Sequence, residues 1–249
     1  GGPSISLRFP RAHPCGVDGL VALGAATPDI AIVLRAVVRA RRSLLVTGGT
    51  GAGKTTVLAA LLAQCPPDER IVVVEDVREL APQHPHVVRL QGRSPNVEGA
   101  GAVTLVDLVR QALRMRPDRL VVGEVRGAEV RELLAALNTG HDGGASTVHA
   151  NGPAEVPARL EALGALAGMP RDAVHAQLRG AVQVVVHVAR QAGRRRVASI
   201  GVVATRPDGH VEVVVAARPG ARGLVGGPGR PLLIELLPEV ADRCTWEQA

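Results

Sequence analysis

The sequence predicts an α/β fold, a mostly parallel sheet flanked by helices and continued by a C-terminal antiparallel extension. Three observations predict it. Short runs that are apolar on both faces alternate with helical periodicity between residues 43 and 180. The first of those runs passes straight into a glycine-rich loop that opens a helix. After residue 183 the alternation gives way to strand–turn–strand signals.

Taken in order, residues 1–22 hold the alternating stretch Ser4-Ile5-Ser6-Leu7-Arg8-Phe9, followed by Pro10 and Pro14. This reads as an edge strand and a linker. Thr27-Pro28 then supplies an N-cap and a first-turn proline for an amphipathic helix to about Arg42. Ser43–Thr47 is a buried strand, and Val57–Ala63 is helical. Ile71–Val74 and the shorter Val87–Leu90 are further strands. Thr104 and Asp107 are spaced as a capping box for a helix to Met115. Leu120–Val122 is a strand, Ala128–Leu137 a helix and Ala145–Val148 a strand. Helices follow near 153–167 and 171–179. Gln183–Val188 and Val197–Val203 are joined by Gln191-Ala192-Gly193, with His210–Val215 beyond, as in a hairpin or meander. The expected organisation is therefore 1–22 as a remnant and linker, 23–218 as the main domain, and 219–249 as a loosely ordered Gly/Arg/Pro-rich tail.

Composition narrows the function. The 249 residues are 46% apolar and carry a net charge of +6, enough chain to bury a sizeable core. No apolar run approaches the roughly 18–20 residues of a membrane helix, so a transmembrane segment is not expected. The chain opens on Gly-Gly-Pro rather than Met, without a charged-then-apolar leader, which reads as a truncated cytoplasmic protein. Cys15, Cys65 and Cys244 are widely spaced and odd in number, which argues against a disulfide framework or a four-cysteine zinc site. Phe9 and Trp246 are the aromatic residues, so the middle of the chain offers no stacking platform for single-stranded nucleic acid. The basic residues are spread, apart from Arg194-Arg195-Arg196, and His84-Pro85-His86 reads as a surface turn.

Of the 29 basic residues, Lys54 is the one lysine. An ammonium is a compact point charge and a guanidinium a broad planar fork, so a site that keeps a lone lysine needs the compact group. Lys54 stands in Gly48-Gly49-Thr50-Gly51-Ala52-Gly53-Lys54-Thr55, which fits G-x-x-x-x-G-K-[ST] with the required strand before and helix after. Glycines let backbone N–H groups wrap a phosphate, and the helix N-terminus adds partial positive charge. Gly48 through Thr56 are thus the expected contacts to a nucleoside triphosphate, with Lys54 on the β- and γ-phosphates. Thr55 is the expected hydroxyl ligand of Mg²⁺.

Two apolar strands end in acid, at Glu75-Asp76 and at Gly123-Glu124. Carboxylates at the C-terminal edge of a parallel sheet point into the crevice where a nucleotide sits. One such acid can serve the Mg²⁺ shell and the other the attacking water. Glu75 reads as a general base or water-positioning group, with a magnesium or structural role as the alternative. Glu124 reads as a magnesium-side group, against simple strand termination. An Asn-Lys-x-Asp guanine loop cannot exist with the lone lysine already placed, and a Leu-Ser-Gly-Gly-Gln signature is absent.

At this point the motifs resemble the ATPases that power type II and type IV secretion and pilus assembly, most closely the tight-adherence pilus branch. The resemblance runs from about Gly2 to Val215 in ordered blocks. Ser4–Phe9 is similar to the strand closing that family's N-terminal domain. Val74–Leu80 resembles its Asp box, where the catalytic carboxylate matches Glu75. Arg89–Gly99 resembles an Arg-bearing loop, and Leu120–Arg126 an atypical Walker B. Thr139–Asn151 resembles the His box, with Gly144 where serine is more usual. The resemblance implies a RecA-like P-loop ATPase domain using ATP and Mg²⁺ in a ring-shaped hexamer. It also implies work on an inner-membrane platform protein from the cytoplasmic face, with no direct nucleic acid partner. A chain lacking the N-terminal domain would be expected to hydrolyse poorly.

His141 and His149 are candidates for sensing the γ-phosphate or a neighbouring subunit, or for purely structural hydrogen bonds. Arg110 and Arg114, one helical turn apart, are candidates for reaching phosphate across a subunit interface, as are Arg89 and Arg93. The rival functions are a RecA-like nucleic-acid translocase and a nucleotide-gated interaction module with little hydrolysis.

Overall fold

The computed structural model describes residues 16–247. The strand expected at Ser4–Phe9 lies outside the described residues. The elements run α1 (Gly16–Ala22), α2 (Pro28–Arg39), β1 (Leu44–Thr47), α3 (Lys54–Leu62), β2 (Ile71–Glu75), β3 (Val87–Gln91) and α4 (Leu105–Arg114). They continue with β4 (Arg119–Val125), α5 (Glu129–Leu137), β5 (Ala145–Val148), a 3-10 turn at Pro153–Glu155, α6 (Val156–Leu166) and α7 (Arg171–Ala181). The last part is β6 (Val184–Gln191), β7 (Arg194–Thr205), β8 (Val211–Pro219), β9 (Leu224–Gly226), α8 (Arg230–Leu236), α9 (Glu239–Arg243) and β10 (Trp246–Glu247).

The strands form one sheet in the order β10-β9-β8-β7-β6-β1-β5-β4-β2-β3. β3, β2, β4, β5, β1 and β6 are mutually parallel, and β6 to β9 continue antiparallel. Because successive residues of a strand face opposite sides, both faces of the parallel part must be covered. Leu44 and Val46 accordingly enter one core beneath α1, α2, α3, α8 and α9, whereas Leu45 enters the other beneath α4 to α7. The mixed sheet matches the predicted fold class.

Local chemistry sets the helix ends as expected. Thr27 caps α2 through Ile30 N–H, and Thr104 and Asp107 make a reciprocal capping box on α4. α2 ends at Arg39, because Arg41 turns to a positive φ of 50°.

Two expectations need correction. Residues 16–22 are helix α1 rather than linker, because Val17 and Leu20 are apolar and one turn apart and both are fully buried. The tail beyond Pro219 is folded: Leu224, Leu233, Leu237 and Val240 lie in the core. Its glycines serve close packing instead of disorder. A Cβ at Gly227 would stand 2.3 Å from the Val215 carbonyl oxygen, and one at Gly229 2.8 Å from that of Val214.

The sheet edge opposite the glycine-rich loop is tied by a buried ion pair. Arg119, at the start of β4, binds both oxygens of Glu69 and also donates to the Val38 and Gly143 carbonyls. Arg41 reaches the same carboxylate at 2.5 Å.

Candidate active site

Parallel strands place their C-terminal ends along one edge, and Thr47 pairs there with Val148 and His187. The 48–56 loop leaves from Thr47 and wraps the N-terminus of α3. Its glycines are required by geometry at two positions. Gly48 has φ 150°, and a Cβ there would sit 2.2 Å from the Val188 carbonyl oxygen of β6. Gly53, at φ 105°, is the left-handed N-cap of α3. Lys54, the first residue of α3, is 8% exposed, and its Nζ donates to the Gly48 and Gly49 carbonyls, each at 3.1 Å. Burial lowers its pKa, opposed by the attraction of Glu124. Thr55 and Thr56 are half-buried behind it, on the first turn of α3.

Glu75 ends β2 and is 5% exposed. Its Oε1 accepts from the Glu79 and Leu80 backbone N–H groups at 3.1 and 2.9 Å. Burial pushes the carboxyl above its ordinary range, against those two hydrogen bonds and the nearby Arg89. Gly123 lies directly against this side chain, since a Cβ there would be 2.6 Å from Glu75 Cγ.

Glu124 owes its direction to an irregularity. Val122 pairs with Ser146 but Val125 pairs with Val148, so β4 carries one extra residue against β5. Such a bulge re-aims a side chain near a site. Thr147 Oγ1 closes it by donating to the Gly123 carbonyl at 2.8 Å. Glu124 Oε2 is held by Arg126, and His149 Nε2 stands 3.5 Å from Oε1. Burial, together with the charge of Lys54, lowers the His149 pKa, although Glu124 opposes this.

Lys54, Glu75, Glu124 and His149 therefore gather at one sheet edge, while other candidates do not join them. His141 precedes β5 at the opposite edge, and its Nδ1 bonds the Ala136 carbonyl at 3.2 Å near the end of α5. α4 runs back from the loop edge, which carries Arg114 to the far end of the helix, where it is exposed. Arg110 pairs with Glu132 of α5 at 2.7 Å. Neither arginine reaches its own chain's loop, because β3 and β4 are joined by a helix that descends away from it. Arg89 stays on the Glu75 side, opposite Val73 in the sheet. Arg93 follows β3 at the same edge, its Nε bonded to the Gly101 carbonyl at 2.7 Å.

Sequence reasoning missed His187, whose Nδ1 lies 3.0 Å from Thr47 Oγ1 at the root of the loop. Burial lowers its pKa. Its position follows only from the β1–β6 register, which no local motif encodes.

Mg²⁺ bound with a nucleotide keeps most of its waters and asks for one or two protein oxygens. The donor set here, the Thr55 hydroxyl and the Glu124 carboxylate, suits that demand. No group of three His, Cys, Asp or Glu side chains poised for a metal occurs among the described residues. None of the described helices is long and apolar enough to cross a membrane.

A family model described as type II/IV secretion system protein matches residues 1–237. A Mycobacterium tuberculosis protein provisionally named for conjugal transfer is 61% identical over 214 residues, 86% of this chain and 60% of the relative. The type IV secretion system protein PtlH of Bordetella pertussis is 41% identical over 179 residues, 67% of this chain and 52% of that one. The chain thus spans little more than half the length of these relatives. Among solved structures, the VirB11 ATPase of the Brucella suis type IV secretion system superposes with TM-score 0.58 and 29% identity, covering 74% of this chain and 54% of that one. The pilus retraction motor PilT with bound ADP shares the fold at TM-score 0.56 and 23% identity, covering 94% and 60%.

Proposed function

This chain belongs to the type II/IV secretion system protein family, and we propose that it binds Mg·ATP in the 48–56 loop and hydrolyses it to drive a secretion or pilus-assembly motor. The observation that carries the reading is the meeting of the loop, Lys54, Glu75 and Glu124 at one edge of a parallel sheet. Backbone N–H groups and Lys54 hold the phosphates. Thr55 and Glu124 serve the magnesium shell.

Glu75 acts as the base or positioning group for the attacking water. Its Oε1 is fixed by two backbone donors, which leaves Oε2 to accept from water. Burial raises proton affinity in the direction a general base requires. His149, whose pKa burial and Lys54 lower, reads the γ-phosphate through its contact with Glu124.

The working form is a ring-shaped homo-oligomer, expected to be a hexamer, peripheral at the inner face of the cytoplasmic membrane against a platform protein. The motor reading is supported by the description of a similar solved structure, the ATPase of a type IV secretion system. Arg93 follows β3 at the sheet edge that carries Glu75 and Arg89 lies two residues before that edge, which makes them better placed than Arg110 and Arg114 to complete a neighbour's site. Purified chain assayed for phosphate release with and without DNA tests the reading. Turnover that needs Mg²⁺ and ignores DNA is the expected result; dependence on DNA would favour a nucleic-acid translocase.

A further inference from the structure

The Arg194-Arg195-Arg196 run has no part in the site described so far. It opens β7, just after the turn in which Ala192 and Gly193 have φ of 46° and 78°. Two consecutive left-handed residues make the tight hairpin connection that matches strand twist. Arg190 Nε donates to the Gly193 carbonyl at 3.2 Å, which braces the turn.

This hairpin rests on the glycine-rich loop at both ends of the loop. The Val188 carbonyl leaves no room for a Cβ at Gly48. At Gly53 a Cβ would lie 3.5 Å from Arg195 Cδ and 3.9 Å from Val188 Cγ1. Arg195 is directly opposite Arg190 in the register, so both project from the same face. Arg194 and Arg196 project from the other face. All are exposed, and none forms an ion pair with a carboxylate among the described residues.

Like charges directly opposite each other weaken a strand pair. An uncompensated arginine pair beside the N-terminus of α3 is a place for an anion. We propose that Arg195, with Arg190 beside it, is a further phosphate-binding element of the nucleotide site, closing over the α/β-phosphate end. The placement follows from Gly53: the loop amides around it cradle the α- and β-phosphates, whereas Lys54 reaches outward to the β and γ. Three bonds separate Arg195 Cδ from its guanidinium nitrogens, which puts that cradle within the reach of its charge. A guanidinium fork pairs with two phosphate oxygens at once. The inference rests on the nucleotide-site reading.

The test is titration calorimetry of Mg·ATP and Mg·ADP against the wild-type chain, Arg195→Ala, Arg195→Lys and Arg194→Ala. Arg195→Ala should weaken both nucleotides by about tenfold or more, as for a lost charge-assisted hydrogen bond. Equal losses for ATP and ADP are expected, because the contact does not involve the γ-phosphate. Arg195→Lys should keep part of the affinity, and Arg194→Ala, on the opposite face, should keep all of it. The thermal midpoint of unliganded Arg195→Ala should not fall, since one member of a like-charge pair is gone. Wild-type affinity in Arg195→Ala, or an equal loss in Arg194→Ala, would overturn the inference alone. A wild-type chain that binds neither nucleotide would overturn the site reading, and this inference with it.

Discussion

The Glu75 side chain lies on the bare Cα of Gly123, with room for no further carbon: a Cβ on Gly123 would be 2.6 Å from Glu75 Cγ and 3.1 Å from Oε1. The glycine of the Gly123-Glu124 pair thus seats one acid while the bulge beside it aims the other. Gly123→Ala should displace the Glu75 carboxylate and leave the 48–56 loop intact. Hydrolysis is expected to fall by about 10²-fold, the low end for a lost general base, with ATP affinity within about twofold of wild type by calorimetry. An unaffected rate would detach Gly123 from the chemistry.

Glu75 also gives a stability signature. Its folded-state pKa is raised by burial, so the unfolded chain ionises more readily and the folded state loses stability as pH rises. The loss begins above the ordinary carboxylate range and is complete above the raised pKa. Glu75→Gln keeps an oxygen for the Glu79 and Leu80 amides but cannot ionise. Its melting midpoint should exceed wild type at pH 7 to 8, and the gap should close as pH falls into the ordinary carboxylate range. A variant less stable than wild type at neutral pH would contradict the assignment.

The Arg119–Glu69 pair at the opposite edge is expected to be structural. Arg119 is 2% exposed, and removing one partner of a buried pair costs about 3–5 kcal/mol. Arg119→Met should therefore lower the melting midpoint by about 6–20 °C in a chain of this size. Nucleotide affinity of the folded fraction should not change. A shift under about 2 °C would show that the carboxylate is served without it.

Much of this was legible in the sequence, and the reasons for the remainder are physical. The 48–56 loop, the Thr27 and Thr104 caps and the apolar strands follow local rules, and each stands where the sequence puts it. Glu75 and Glu124 stand at one edge, as expected, because strand ends of a parallel sheet share it. His141 and His149 looked equivalent in one glycine-rich stretch, yet β5 runs between them and carries them to opposite edges. Arg110 and Arg114 are candidates alongside Arg89 and Arg93, yet the reversal of direction made by α4 carries them away from the edge that holds Glu75. The tail's glycines read as disorder because composition does not reveal that Gly227 and Gly229 pack against β8 carbonyls.

Arg89 and Arg93 are expected to act between subunits. Turnover per chain should rise with protein concentration. A Lys54→Ala chain, which retains both arginines, should restore hydrolysis to an Arg89→Ala or Arg93→Ala chain when the two are mixed. The corresponding mixture with Arg110→Ala or Arg114→Ala should show no gain, since those variants should not lose activity. Concentration-independent turnover without rescue would make each subunit self-sufficient.

The central claim is that Lys54 holds the nucleotide and Glu75 carries out its hydrolysis. The most direct measurement pairs equilibrium ATP binding with single-turnover hydrolysis in Lys54→Ala, Lys54→Arg, Glu75→Gln and Glu124→Gln. Both lysine variants should lose binding and turnover, because a guanidinium is too broad for the loop. Glu75→Gln should retain ATP while hydrolysing it about 10²–10⁴-fold more slowly. Wild-type hydrolysis in Glu75→Gln, with the trapped state appearing in Glu124→Gln instead, would contradict the account.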